Sequence, residues 1–123
     1  MNVIEKDNKI FCAQRNLTKS MGGKWEFPGG KIEEGETKEQ ALIREIKEEL
    51  DSEIIVDKYL ITVEHDYPTF HITMHAYLAT LVKGELVLKE HNDSKWLNKE
   101  ELLNLEWADA DKPIVELLLK SCK

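Results

Sequence analysis

Three carboxylates, Glu45, Glu48 and Glu49, fall within five residues of one another in a segment whose pattern is helical. At about 100° per residue, with Glu45 as zero, Glu49 stands at about +40° and Glu48 at about −60°, a sector about 100° wide. Leu42 and Ile46 border it, at about +60° and +100°. The acids therefore sit beside an apolar stripe and do not point fully into water. Like charges crowded there repel unless something cancels them. Hard divalent cations with oxygen ligands, Mg2+ or Mn2+, are the natural partners. Arg44 can hold one carboxylate in a bidentate pair. Upstream, Gly29-Gly30-Lys31 offers backbone that can approach an ion or phosphate closely, and a cation for an anionic substrate. The competing reading is a solvated acidic face, as most charge runs are; the adjacent apolar stripe counts against it.

These residues need elements to hold them. Thr37 with Gln40 three residues on is a capping box, and Leu42, Ile46 and Leu50, with Ile43 beside them, form one buried stripe, so the spacing predicts a helix over 37–50. Ile10–Ala13 reads as a strand after the Asp7-Asn8-Lys9 turn, with Val3-Ile4 as the stub of an earlier strand paired across it. Glycine-rich loops flank the short Lys24–Phe27 segment. Tyr59–His65 and His71–Val82 read as strands joined by a turn over Asp66–Thr69. Asn98 with Glu101 starts a short capped helix, and Asp111 with Pro113 starts a last one whose apolar face is Val115, Leu118, Leu119 and Cys122. Turn-linked strands interleaved with helices predict an α/β chain with a mixed sheet flanked by helices.

Composition bounds the function. At 123 residues the expectation is a single domain over 1–123. The net charge is −7, and nine acidic against three basic residues between Glu33 and Glu53 carry −6 of it. That argues against binding a nucleic-acid polymer, which needs a cationic face. No apolar run reaches the ~18 residues of a membrane span, and no signal-peptide core follows Met1. Cys12 and Cys122 lack a C-x-x-C partner and read as reduced thiols, so the expected location is cytoplasmic. His71 and His75, about 13 Å apart on a strand, cannot share one ion and read as structural. Trp96 and Trp107 read as core anchors.

Gly30, five residues, Glu36, seven residues, then Arg44-Glu45-Ile46-Lys47-Glu48-Glu49 closely resembles the Nudix box. Asp51 stands where the box has glycine and Ser52 where it has an apolar residue; aspartate tolerates the left-handed helix end that a glycine would serve. Lys24–Lys31 resembles the segment before the box in the MutT-like branch, and Trp107–Pro113 the segment by which that branch holds a base. Such chains usually open with a fuller apolar strand than Met1–Ile4 provides. The resemblance implies an α/β/α sandwich. It implies that Glu45, Glu48 and Glu49 bind metal together with the Gly30 carbonyl and Glu90, that Arg44 orients the cluster, that Lys31 and Arg15 meet phosphate or nucleotide, and that Phe27 and Asp111 line a base pocket.

The function this implies is a Mg2+-dependent (or Mn2+-dependent) nucleoside triphosphate pyrophosphohydrolase, leaning to CTP/dCTP or 8-oxo-dGTP. A metal ion neutralises phosphate and sharpens a water nucleophile, whose proton passes to Glu45 or Glu90. The alternatives are a Nudix hydrolase of a nucleoside diphosphate sugar or dinucleotide, and a non-catalytic nucleotide-binding regulatory module. An ionised Asp111 would only accept hydrogen bonds and would suit a base edge offering donors, such as the cytosine amine; Asp111 also reads as a helix cap.

Overall fold

The computed structural model describes residues 1–17, 22–29, 32–89 and 91–120. Among them, one mixed sheet holds β1 (Asn2–Lys6), β2 (Lys9–Gln14), β3 (Trp25–Glu26), β4 (Glu53–Tyr67), β5 (Phe70–Lys83) and β6 (Asp93–Leu97). The order is β3-β2-β1-β5-β4, with β6 also on β2. Only β1 and β5 run parallel; the other neighbours are antiparallel. Helix α1 (Lys38–Leu50) and helix α2 (Lys112–Lys120) complete the frame, with 3-10 helices over Lys99–Asn104 and Asp109–Asp111 leading into α2.

Period-two alternation distributes β1 and β2 over two cores. Val3, Ile10 and Cys12 pack with Phe27, Trp107 and the α2 residues Ile114, Val115 and Leu118. Ile4, Phe11 and Ala13 pack on the opposite face with Ile46 and Leu50 of α1. Helices on both faces explain why Ile10–Ala13 is a continuous buried run. This is the expected mixed-sheet α/β/α sandwich. Trp96 meets Phe11 edge-on at 5.4 Å, and Trp107 donates its indole N–H to the Leu102 carbonyl at 2.7 Å, so both are core anchors. Cys12 is a buried free thiol, pushed up to about 12 by burial; Cys122 lies outside the described residues.

Helix α1 starts with the expected capping box: Gln40 N–H donates to Thr37 Oγ1 at 3.1 Å, and Thr37 N–H to Gln40 Oε1 at 2.9 Å. It ends at Asp51 in the left-handed region, φ 52° and ψ 42°, whose N–H caps the Lys47 carbonyl. The buried stripe is Ala41, Leu42, Ile46 and Leu50; Ile43, expected beside it, is 39% exposed because it falls on the far flank of the stripe.

Two elements differ from the sequence reading. Strand β4 begins at Glu53, six residues before Tyr59, and three register shifts against β5 break the alternation that would have revealed it. Asp66 and Tyr67 continue the strand, leaving only Pro68-Thr69 as the turn. Strand β6 is none of it fully buried and owes its form to five paired positions along β2. Among the described residues, no helix is long and apolar enough to cross a membrane.

Candidate active site

Capping and the buried stripe fix the rotation of α1, and that rotation turns Arg44, Glu45, Glu48 and Glu49 along one edge of the sandwich. The Arg44 guanidinium takes Glu36 in a bidentate pair, Nε to Oε2 at 2.7 Å and Nη2 to Oε1 at 3.0 Å. Its Nη1 donates to Glu45 at 3.1 Å and to Glu48 at 2.8 Å. One cation thus orders three carboxylates, where the sequence suggested one. These bonds raise Arg44 above its ordinary pKa, Glu36 contributing most. Conversely, the Arg44 hydrogen bonds, with the Glu33 N–H, hold Glu36 below the usual carboxylate range.

Glu49 turns the other way. Burial first, then the charge of Glu45 and a hydrogen bond shared with it, push Glu49 up to about 7. Two carboxyl groups that close are stable only when a proton or a cation sits between them. Their all-oxygen donors fit a hard divalent ion. Glu48, drawn to Arg44, is 58% exposed, and among the described residues no three acidic, histidine or cysteine side chains converge as a ready metal cage. Gly30, Lys31 and Glu90 lie outside the described residues.

Beside this edge, Glu26 is a half-buried carboxylate that sequence reasoning missed. It accepts from Arg15 Nη1 at 2.9 Å and faces His91 Nε2 at 3.0 Å. Burial works to raise it, but the bonds from His91 and Arg15 outweigh this and hold it below the ordinary range. Arg15, expected to meet phosphate, is engaged with Glu26 at the cavity wall. His91 is mostly buried, and its Nδ1 has no hydrogen-bond partner among the described residues. The signal for Glu26 was present in the sequence: a lone acid between Trp25 and Phe27.

A cavity of about 550 Å³ opens next to these groups, with Ala41 and Leu42 of α1 on one side. Tyr67, Phe70, Ile72 and Met74 of the β4–β5 hairpin supply much of its apolar wall, and Glu26, Arg15 and Asp111 its polar groups. Gly29 lets the preceding loop cross β1: a Cβ there would stand 2.8 Å from Met1 Cα, and its φ is 143°. Asp111 is 1% exposed and its Oδ2 accepts from the Phe27 N–H at 3.1 Å. Burial, aided by the Glu26 charge, raises its carboxyl well above the ordinary range. Burial therefore works against the ionised, accept-only Asp111 of the sequence reading, with one N–H from Phe27 set against near-complete desolvation.

The Phe27 ring also stands elsewhere than expected. It is 0% exposed, stacked on Trp107 at 4.6 Å, and is not among the residues lining the cavity. Its contribution to the site is its backbone N–H. His75 lines the cavity, with Nδ1 2.9 Å from Thr62 Oγ1. His71 pairs with Asp66 at 2.5 Å on the exposed hairpin.

The chain matches the family model described as NUDIX domain over residues 1–117. The 8-oxo-dGTP diphosphatase of Proteus vulgaris is 49% identical to it over 88 residues, 72% of this chain and 79% of that protein. The CTP pyrophosphohydrolase of Escherichia coli K12 is 38% identical over 117 residues, 95% of this chain and 87% of that protein. The solution structure of the mismatch repair protein MutT, a Nudix hydrolase from methicillin-resistant Staphylococcus aureus 252, superposes with a TM-score of 0.78 at 44% identity, covering 98% of this chain and 93% of that one.

Proposed function

Because this chain belongs to the Nudix hydrolase family, whose members generally need divalent metal ions, we propose that it is a nucleoside triphosphate pyrophosphohydrolase, converting a (d)NTP and water to (d)NMP and pyrophosphate. The observation that carries this reading is the adjoining of two features. A cavity with an apolar wall is lined by the buried Asp111 carboxyl, and α1, which forms its side, presents the Glu45–Glu49 pair one turn further on. The relatives named for 8-oxo-dGTP and CTP support the substrate class.

Glu45, Glu48 and Glu49 would hold Mg2+ or Mn2+, with the Gly30 carbonyl and Glu90 completing the set. The bound ion supplies charge neutralisation at the phosphates and a lowered water pKa. The chain's own residues do the rest. Arg44 keeps Glu36, Glu45 and Glu48 in fixed places, so no reorganisation is needed as charge develops. Tyr67 and Phe70 give a base flat apolar surfaces. Asp111, with Oδ2 on Phe27, offers the base edge a carboxyl able to donate as well as accept. Lys31 meets phosphate oxygens. Glu45 or Glu90 takes the proton of the attacking water. The water oxygen bonds to phosphorus, the bridging P–O bond breaks, and pyrophosphate leaves. A neutral Asp111 suits the mixed donor–acceptor edge of guanine or its 8-oxo form as well as cytosine. A single domain over residues 1–123 and a cytoplasmic location belong to the same proposal.

The experiment is pyrophosphate release from CTP, dCTP, UTP, dGTP and 8-oxo-dGTP with Mg2+, repeated after chelation with EDTA. Turnover of at least one triphosphate, abolished by chelation and restored by Mg2+ or Mn2+, is the expected result. Full activity after exhaustive chelation sinks the metal mechanism. Metal binding without turnover of any triphosphate returns the chain to the regulatory or diphosphate-derivative readings.

A further inference from the structure

We propose that Ser52 is a positioning residue for the carboxylate helix: its hydroxyl is the joint that fastens the connection after β5 to the last turn of α1, and so sets where Glu48 and Glu49 stand relative to that connection. This rests on reading Glu45, Glu48 and Glu49 as metal ligands.

The last turn of any α-helix leaves carbonyls without intrahelical donors. In α1 the Lys47 carbonyl is capped by the Asp51 N–H, and those of Glu48 and Leu50 meet a segment more than thirty residues downstream in the chain. Ser52 Oγ donates to the Leu50 carbonyl at 3.0 Å and accepts from the Leu86 N–H at 2.8 Å. Val87 N–H donates to the same Leu50 carbonyl at 2.8 Å. Lys89 Nζ donates to the carbonyl of Glu48 itself at 3.1 Å. Ser52 and Leu86 are each 3% exposed, so water does not substitute for this hydroxyl.

The backbone is shaped around the joint. Gly84 has φ +101°, and a Cβ there would stand 2.4 Å from Ser52 Oγ. Leu86 takes a φ of 53°, which drives its side chain into the core beside Ile46 and Leu50. Downstream, the same connection delivers His91 to Glu26 at 3.0 Å and is pinned again where Asn92 N–H meets the Gln14 carbonyl at 2.9 Å. Glu90 follows Lys89 in the sequence. The connection is thus held at one end by β2 and at the other by the turn that carries Glu48 and Glu49. The Nudix box has an apolar residue at position 52, which could make neither bond.

Ser52→Ala removes the joint without adding bulk. Three readouts decide: amide exchange at Leu86 and Val87 by NMR, Mn2+ affinity from the free-ion EPR signal, and kcat at saturating Mn2+. We expect Leu86 exchange to quicken at least about 10-fold and Mn2+ to bind about 10- to 100-fold more weakly, as for other groups that orient ligands, with kcat recovering when Mn2+ saturates. Unchanged Mn2+ affinity, or unchanged Leu86 exchange, overturns the proposal. If Ser52→Ala does not fold, Ser52→Cys, a weaker donor and acceptor, is read the same way. A wild type that binds Mn2+ but hydrolyses no triphosphate defeats the functional reading alone, because the Mn2+ affinities still decide Ser52. A wild type that binds no Mn2+ overturns both.

Discussion

Arg44 and Glu49 divide the work of a crowded acidic site. Arg44 satisfies Glu36, Glu45 and Glu48 without a metal, whereas Glu49 is left against Glu45 and keeps its proton to about pH 7. Glu48→Gln and Glu49→Gln each remove one charge at constant size. Both variants are expected to fold, since fewer like charges are crowded together, and to lose at least ~10²-fold in turnover, the scale of about 2.7–4 kcal/mol for a group that stabilises developing charge. Near-wild-type kcat in a folded variant would exclude that residue from catalysis. For Asp111 the proposed role is in selectivity instead. Asp111→Asn keeps an acceptor for the Phe27 N–H but replaces the carboxyl by an amide. Stability is expected to change little. The ranking of kcat/KM among CTP, UTP, dGTP and 8-oxo-dGTP is expected to shift by about 1–3 kcal/mol for the bases that Asp111 touches. A ranking that does not move in the folded variant leaves Asp111 a structural residue.

At the scale of elements, the exit from α1 departs from its family's pattern at two adjacent positions, and the structure accounts for both. Asp51 adopts the left-handed conformation that a glycine would take at lower cost, and Ser52 builds the joint to Leu86. Asp51→Gly is expected to stabilise the protein by up to about 1 kcal/mol, since left-handed backbone costs a non-glycine residue roughly that much. The melting temperature then rises by a few degrees, with kcat unaltered. A lower melting temperature shows that the Asp51 side chain holds the turn in a way its backbone does not. The β4–β5 hairpin is the other element with a functional consequence. Tyr67 Oη accepts from the Ala110 N–H at 3.0 Å, tying the hairpin's apolar wall to the segment that carries Asp111.

For the whole molecule, charge and proton binding oppose one another in a predictable window. Glu49 and Asp111 have folded pKa values raised above their unfolded ones. The folded state therefore holds more protons above about pH 4.5, and stability falls as pH rises toward 7. Glu26 and Glu36, held low, contribute in the opposite sense only below the ordinary carboxylate range. Between about pH 6 and 8 the Met1 amine, lowered to about 6 by burial, works against this, so the metal-free protein is expected to melt at a lower temperature at pH 6 than at pH 5. Mg2+ should raise stability by binding the folded state alone, and Glu49→Gln should flatten the slope. A metal-free melting temperature that climbs across this window contradicts the assigned proton on Glu49. Much of this was legible in the chain itself. Capping box, apolar stripe and acid spacing are local, so α1 and its carboxylate edge follow from nearest neighbours in sequence, while the sandwich was legible through the family resemblance. Tertiary structure alone decided the rest, because burial and long-range partners have no local signature. It sent the Phe27 ring into the core and left its N–H on Asp111, raised the Asp111 carboxyl by desolvation, brought Glu26 to Arg15 and His91, formed β6 by pairing, and made Ser52 a joint to a segment thirty-four residues away.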